Sequence, residues 1–112
     1  MDAQEPRILI VDDEEYTRTF FRNILMDENY RVSFAENGRE ALDAWATQYF
    51  DLIIMDIRMP KMDGMDVLRQ IRSSDSDTMV IMVSAYGDMD SVIDAMKLGA
   101  NDFFTKPFGS ID

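Results

Sequence analysis

Three carboxylates, one hydroxyl and one ammonium stand at the ends of apolar runs, and together they could move a phosphoryl group. Ile8-Leu9-Ile10-Val11 leads to Asp12-Asp13, Leu52-Ile53-Ile54-Met55 to Asp56, Val80-Ile81-Met82-Val83 to Ser84, and Phe103-Phe104-Thr105 to Lys106. If these runs are parallel strands of one sheet, the five groups gather along its carboxyl edge, where open α/β sheets keep their ligand sites. With the first and third strands adjacent, Asp12, Asp13 and Asp56 come within a few ångströms of one another. Like charges that close raise each other's pKa. A Mg2+ ion would relieve the crowding with oxygen ligands and leave positions for water and a phosphate oxygen. The metal and Lys106 would stabilise charge on a transferring group while a carboxylate attacks in line. Asp56 is the candidate nucleophile, giving an aspartyl phosphate. It stands alone at its strand end, whereas the Asp12-Asp13 pair suits the metal.

Composition narrows the chemistry further. The 112 residues hold 22 acidic and 11 basic side chains, for a net charge of -11. That balance argues against direct nucleic-acid contact, which depends on Lys and Arg neutralising phosphates. The absence of Cys and His rules out disulfides, thiol and imidazole catalysis and Cys/His zinc sites. Any metal must then be held by oxygen, which points to Mg2+, with Mn2+ or Ca2+ as substitutes. The start Met1-Asp2-Ala3-Gln4-Glu5-Pro6 lacks the basic and apolar regions of a signal peptide. No stretch approaches the roughly 20 apolar residues that span a bilayer. A cytoplasmic setting is the simplest expectation.

The elements that must position these groups alternate regularly. Arg7 to Val11 reads as a buried strand, followed by a helix that Asp13 or Glu14 caps. In that helix Tyr16, Phe20 and Ile24, with Phe21 and Leu25, recur at spacings of three and four. Arg31 to Ala35 is a second strand, and Asn37-Gly38 opens a helix striped by Ala41, Leu42, Trp45 and Ala46. Asp51 to Asp56 is the clearest strand. After the loop bracketed by Pro60 and Gly64 comes a short helix with Val67, Leu68 and Ile71 inward. Met79 to Val83 is the fourth strand, and the next helix carries Val92, Ala95, Met96 and Leu98 and stops at Gly99. Asn101 to Thr105 is the last strand. Five short apolar strands alternating with helices favour a doubly wound α/β domain, a parallel sheet covered on both faces. The residues 108 to 112 are too few for a full final helix, so one sheet face near the last strand is expected to be thinly covered.

At these positions the chain resembles the receiver domain of bacterial two-component response regulators. The marks are Val11-Asp12-Asp13-Glu14, Met55-Asp56-Ile57-Arg58-Met59-Pro60, Met62-Asp63-Gly64, Val83-Ser84-Ala85 and Phe104-Thr105-Lys106-Pro107. The resemblance spans about residues 7–108 and implies one domain over 1–112, expected to be the N-terminal part of a longer regulator. It implies a flavodoxin-like sheet of order 2-1-3-4-5 with the final helix absent or truncated. It also implies that Asp56 takes phosphate from a sensor histidine kinase's phosphohistidine. Asp13 and Asp56 would hold Mg2+ directly, Asp12 largely through water, and the Arg58 carbonyl would complete the protein ligands. Lys106 would contact the phosphoryl group and a carboxylate. Ser84 would turn inward to the phosphate, and Phe103 would follow into the vacated space. Here Phe103 lacks the hydroxyl of the tyrosine often found in the family. The Lys106-Pro107 bond would be cis, and Arg58's side chain would project near the phosphoryl site.

The function implied is a switch that catalyses its own phosphorylation and dephosphorylation rather than a turnover enzyme. Its output would be a changed protein surface, with transcription the commonest family role and homodimerisation a further expectation. The alternative is a stand-alone or phosphorelay receiver with no DNA-binding output. A Mg2+-dependent aspartate phosphohydrolase is a more distant rival, because Arg58 stands where such an enzyme would want a second carboxylate. A permanently unphosphorylated binding domain has no use for the full set of acids, hydroxyl and lysine.

Overall fold

The computed structural model describes residues 5–106. Five parallel strands form one sheet, β1 (Arg7–Val11), β2 (Arg31–Ala35), β3 (Leu52–Asp56), β4 (Met79–Ser84) and β5 (Asp102–Thr105), in the order β2-β1-β3-β4-β5. The connections are α1 (Glu15–Leu25), α2 (Gly38–Thr47), α3 (Gly64–Arg72) and α4 (Met89–Leu98). This is the doubly wound, flavodoxin-like arrangement expected, with four helices among the described residues. The Lys106-Pro107 bond and the final helix lie outside them. No helix among the described residues is long and apolar enough to cross a membrane.

Strand alternation explains the two-sided core. Side chains of successive strand residues face opposite ways. Leu9, Val11, Ile53, Met55, Val80 and Met82 therefore join Val67, Leu68, Ile71, Val92 and Ala95 of α3 and α4 in one cluster. Ile8, Ile10, Ile54 and Val83 pack with Phe21 of α1 in the other. Among the described residues α1 alone covers this second face. Phe104, stacked on Phe21 at 6.3 Å between ring centroids, stays 40% exposed. Among the described residues the cover beside the last strand is thin.

Several helix faces are turned from their expected phase. On α1 the buried residues are Thr17 and Phe21, while Tyr16 and Ile24 are exposed. Ala46 of α2 and Met96 of α4 also face outward. Spacing of three and four identifies a helix but leaves its rotation to packing, and two neighbouring stripes satisfy the same spacing. Glu14 occupies the N-cap of α1 without a side-chain cap bond. Asn37 and Asp63 do cap α2 and α3, accepting from Glu40 N at 2.9 Å and Asp66 N at 3.2 Å. Gly99 ends α4 in the left-handed region at φ 113°, as its place in the sequence predicts.

Candidate functional site: an acidic pocket with a buried lysine

Register carries the site. Val11 lies opposite Met55, Asp56 opposite Val83 and Ser84 opposite Thr105. The residues that follow β1, β3 and β5 thus meet at one edge. Backbone bonds extend the pairing past the strand ends: Asp12 N donates to Ala35 O at 3.1 Å, Ile57 N to Val83 O at 2.9 Å and Lys106 N to Ser84 O at 2.8 Å.

Asp12, Asp13 and Asp56 each present a carboxylate oxygen so that all three oxygens lie within 4.8 Å of one another. Asp12 and Asp56 are buried and Asp13 is exposed. Asp12 Oδ1 accepts from Glu14 N at 2.8 Å, and Asp56 Oδ1 accepts from Arg58 N at 3.1 Å. Lys106 Nζ stands 3.2 Å from both Asp12 Oδ2 and Asp56 Oδ2, and 2.6 Å from Glu14 Oε1. It donates to Asp56 and Glu14, but its angle to Asp12 closes no hydrogen bond. Asp12 Oδ2 is thus a buried carboxylate oxygen that the ammonium pairs by charge without closing a hydrogen bond. An oxygen so incompletely satisfied is costly in a protein interior.

The electrostatics follow from this geometry. Burial, with the Asp56 charge adding to it, pushes the Asp12 carboxyl from 3.8 up to about 6 against the pull of the Glu14 N–H and Lys106. Asp56 is likewise raised, by burial first, with Lys106 opposing. Burial works against the Lys106 ammonium, yet the hydrogen bond with Glu14 and the Asp56 and Asp12 charges outweigh it and raise its pKa. Glu14 is lowered by its bond to Lys106. One ammonium therefore serves three acids and leaves the pocket short of positive charge. An oxygen-only donor set with an incompletely satisfied buried oxygen fits a hard divalent cation.

Ser84 is buried at the end of β4, its hydroxyl at 3.5 Å from Phe104 O. Phe103 is half-buried against the α3/α4-side core. The Arg58 side chain is held at the start of α4, Nε 3.2 Å from Asp88 Oδ2 and Nη2 2.9 Å from Ser91 Oγ. Met55 and Met82 are core residues as expected, whereas Asp88 is engaged with Arg58 rather than capping α4.

Two contributors go beyond the sequence reading. Glu14 reads in sequence equally as a tuner of the site's charge and as a solvated helix start, and only its bond to Lys106, 92 positions away, decides for the site. Arg18 of α1 donates from Nη1 to the Asp12 main-chain O at 2.7 Å and so steadies the acidic pair from behind. Its place six positions after Asp12, about one turn into the following helix, is the only signal that could have pointed to it.

Residues 8–112 match the response regulator receiver domain family. The chain is 45% identical over 103 residues to a chemotaxis protein CheY of Listeria monocytogenes, covering 91% of this chain and 87% of that protein. It is 40% identical over 102 residues to the regulatory protein AtoC of Escherichia coli, covering 91% of this chain but 22% of that one. A CheY-like response regulator receiver domain protein from Methanospirillum hungatei superposes with a TM-score of 0.87 at 29% identity, over 95% of this chain and 85% of that one. With its sheet order, its acidic pocket and these likenesses together, the chain belongs to the response regulator receiver domain family.

Proposed function

We infer that this receiver accepts a phosphoryl group on Asp56 from a sensor histidine kinase and acts as a stand-alone or relay switch whose output is a changed protein-binding surface. The observation that carries the reading is the convergence of Asp12, Asp13 and Asp56 around Lys106, with one buried oxygen of Asp12 paired by charge but not hydrogen-bonded. Support for a stand-alone role comes from the CheY likeness, which runs over 87% of that relative. Transcriptional output, the commonest expectation from the family, rests on relatives such as AtoC, of which the chain spans 22%. A cytoplasmic setting accords with the lack of cysteine and with a kinase as donor.

Asp12, Asp13 and Asp56, with the Arg58 carbonyl, would hold Mg2+, and Mn2+ could replace it. When bound, the ion supplies charge neutralisation for the incoming phosphoryl oxygens. The chain's own residues do the rest. Asp56 Oδ2 is the nucleophilic oxygen, and it attacks phosphorus as the kinase imidazole leaves. Lys106, already 3.2 Å from that oxygen, follows the growing negative charge onto the phosphoryl group. The Ser84 hydroxyl, weakly held at 3.5 Å by Phe104 O, can exchange that acceptor for a phosphoryl oxygen. Phe103, half-buried beside it, would occupy the vacated space without needing to bury a polar group.

Intact mass after incubation with acetyl phosphate tests the reading. One labile adduct is expected on the wild type with Mg2+, and none without Mg2+ or on Asp56→Asn. Equal labelling of Asp56→Asn would overturn the assignment of the acceptor.

A further inference from the structure

Asp88 stands at the N-cap of α4, where an aspartate ordinarily accepts a backbone N–H two or three residues on. Its side chain makes no cap hydrogen bond. The equivalent residues of α2 and α3, Asn37 and Asp63, both do. Asp88 differs in its backbone, at φ −96° and ψ 52° where Asn37 and Asp63 are extended, and in its partner: Oδ2 accepts from Arg58 Nε at 3.2 Å, while Arg58 Nη2 donates to Ser91 Oγ at 2.9 Å. Arg58 lies 30 positions earlier, in the loop after β3. Its own N–H donates to Asp56 Oδ1 at 3.1 Å, so its Cα lies within about 4.6 Å of that oxygen once the N–Cα bond is added. One residue therefore touches the acceptor carboxylate with its backbone and the first turn of α4 with its side chain.

We propose that Arg58 is a two-position latch, on Asp88 and Ser91 before phosphorylation and on the phosphoryl group after it, and that its release lets Asp88 cap α4 through the Ser91 N–H. The latch rests on the reading of Asp56 as phosphoacceptor. A phosphoryl group brings nearly two negative charges and three strong acceptor oxygens. A guanidinium can engage two of those oxygens at once. Against this stands an ion pair whose arginine is 66% exposed, a kind that holds weakly in water. Release carries Asp88 from ψ 52° toward the extended backbone of a capping residue. Arg58 first, then the Ser91 hydroxyl and the nearby Ser91 N–H, lower the Asp88 carboxyl below its ordinary pKa, so the capping donor is within reach although no cap bond is closed. The closed cap tightens the first turn of α4, which carries the exposed Met89 and, further along, Ile93 and Met96. Both ends of the latch thus bias one element, which is what physical coupling between two sites requires.

Hydrogen exchange at the Ser91 amide reads the cap, and intact mass on the same samples reads the adduct, with acetyl phosphate and Mg2+ as probe. In the wild type, labelling is expected to slow Ser91 exchange about fivefold, the equilibrium factor of a typical N-cap. Arg58→Gln releases Asp88 without phosphate, so exchange is already slow and changes little on labelling. Asp88→Ala exchanges fast in both states while still taking the adduct. An unmoved Ser91 amide in labelled wild type overturns the latch, as does equal slowing in wild type and Arg58→Gln. A wild type that takes no adduct overturns the phosphoacceptor reading and the latch with it, so the mass separates the two failures.

Discussion

Asp12 bears most of the pocket's electrostatic strain. Its carboxyl titrates at about 6 in the folded chain against an ordinary 3.8, so the native state binds this proton more tightly than the unfolded state does. Stability from this group is therefore fully present below about pH 3.8 and is lost as pH rises through about 6. Urea unfolding of wild type and Asp12→Asn in metal-free buffer should give similar midpoints near pH 4 and a more stable variant at pH 7. Added Mg2+ should narrow the gap at pH 7, because it pairs with the carboxylate that asparagine lacks. Asp13 is exposed. Replacing it with Ala should cost at least about tenfold in Mg2+ affinity by calorimetric titration, a typical consequence of losing a charged ligand or its supporting partner. Unchanged Mg2+ affinity in Asp13→Ala would remove it from the ligand set.

The loop between β3 and α3 positions the acceptor, and Gly64 sets how closely the two elements approach. A Cβ on Gly64 would lie 2.1 Å from the Asp56 carbonyl oxygen and 3.0 Å from its carbon. Gly64 N also donates to Ile57 O at 2.7 Å. Gly64→Ala must therefore push the start of α3 away from the residue that bears the phosphoryl group. Destabilisation of about 3 kcal/mol is expected, in the range of strain and overpacking mutants, with a loss in adduct yield out of proportion to that of a variant destabilised elsewhere. Asn37→Ala supplies the control element, since loss of an ordinary cap costs about 1 kcal/mol without touching the loop. Denaturant titrations with unchanged m-values would make the two comparable. A Gly64→Ala protein as stable as wild type would show that the loop yields easily.

Taken whole, the molecule holds 22 acidic against 11 basic residues and concentrates three of the acids in one pocket. A cation that binds only the folded pocket stabilises by mass action, about 2.7 kcal/mol at a hundredfold excess over its dissociation constant. Mg2+ should accordingly raise Tm by several degrees in wild type and much less in Asp13→Ala. Sodium chloride at matched ionic strength screens the general repulsion but cannot fill the pocket, so its effect should be the same in both proteins. Equal responses of both proteins to Mg2+ would assign its effect to screening. The core itself is divided by the sheet, with Leu68 and Ile53 fully buried on the larger side. Truncating Leu68 to Ala should cost about 2–5 kcal/mol, with no change in which residue is labelled.

Strand existence and the shared carboxyl edge were readable from the chain alone. Strands buried on both faces must be continuous apolar runs, and Val11, Met55 and Val83 each end such a run beside a polar group. Five runs alternating with helical stripes leave little choice but a parallel sheet. The helix opening at Asn37 and the stop at Gly99 were legible as local chemistry, and so was the Asp12, Asp13 and Asp56 cluster once strands one and three were taken as neighbours. Tertiary structure alone decided the rotation of each helix, because Tyr16 and Thr17 satisfy the same spacing and only packing selects between them. It also decided partners. Lys106 could have served any of 22 acids, and its bond to Glu14 depends on two strand ends meeting across 92 residues. Arg58 and Asp88 are alike: each has a plausible local role, and only their distance in space gives them a common one.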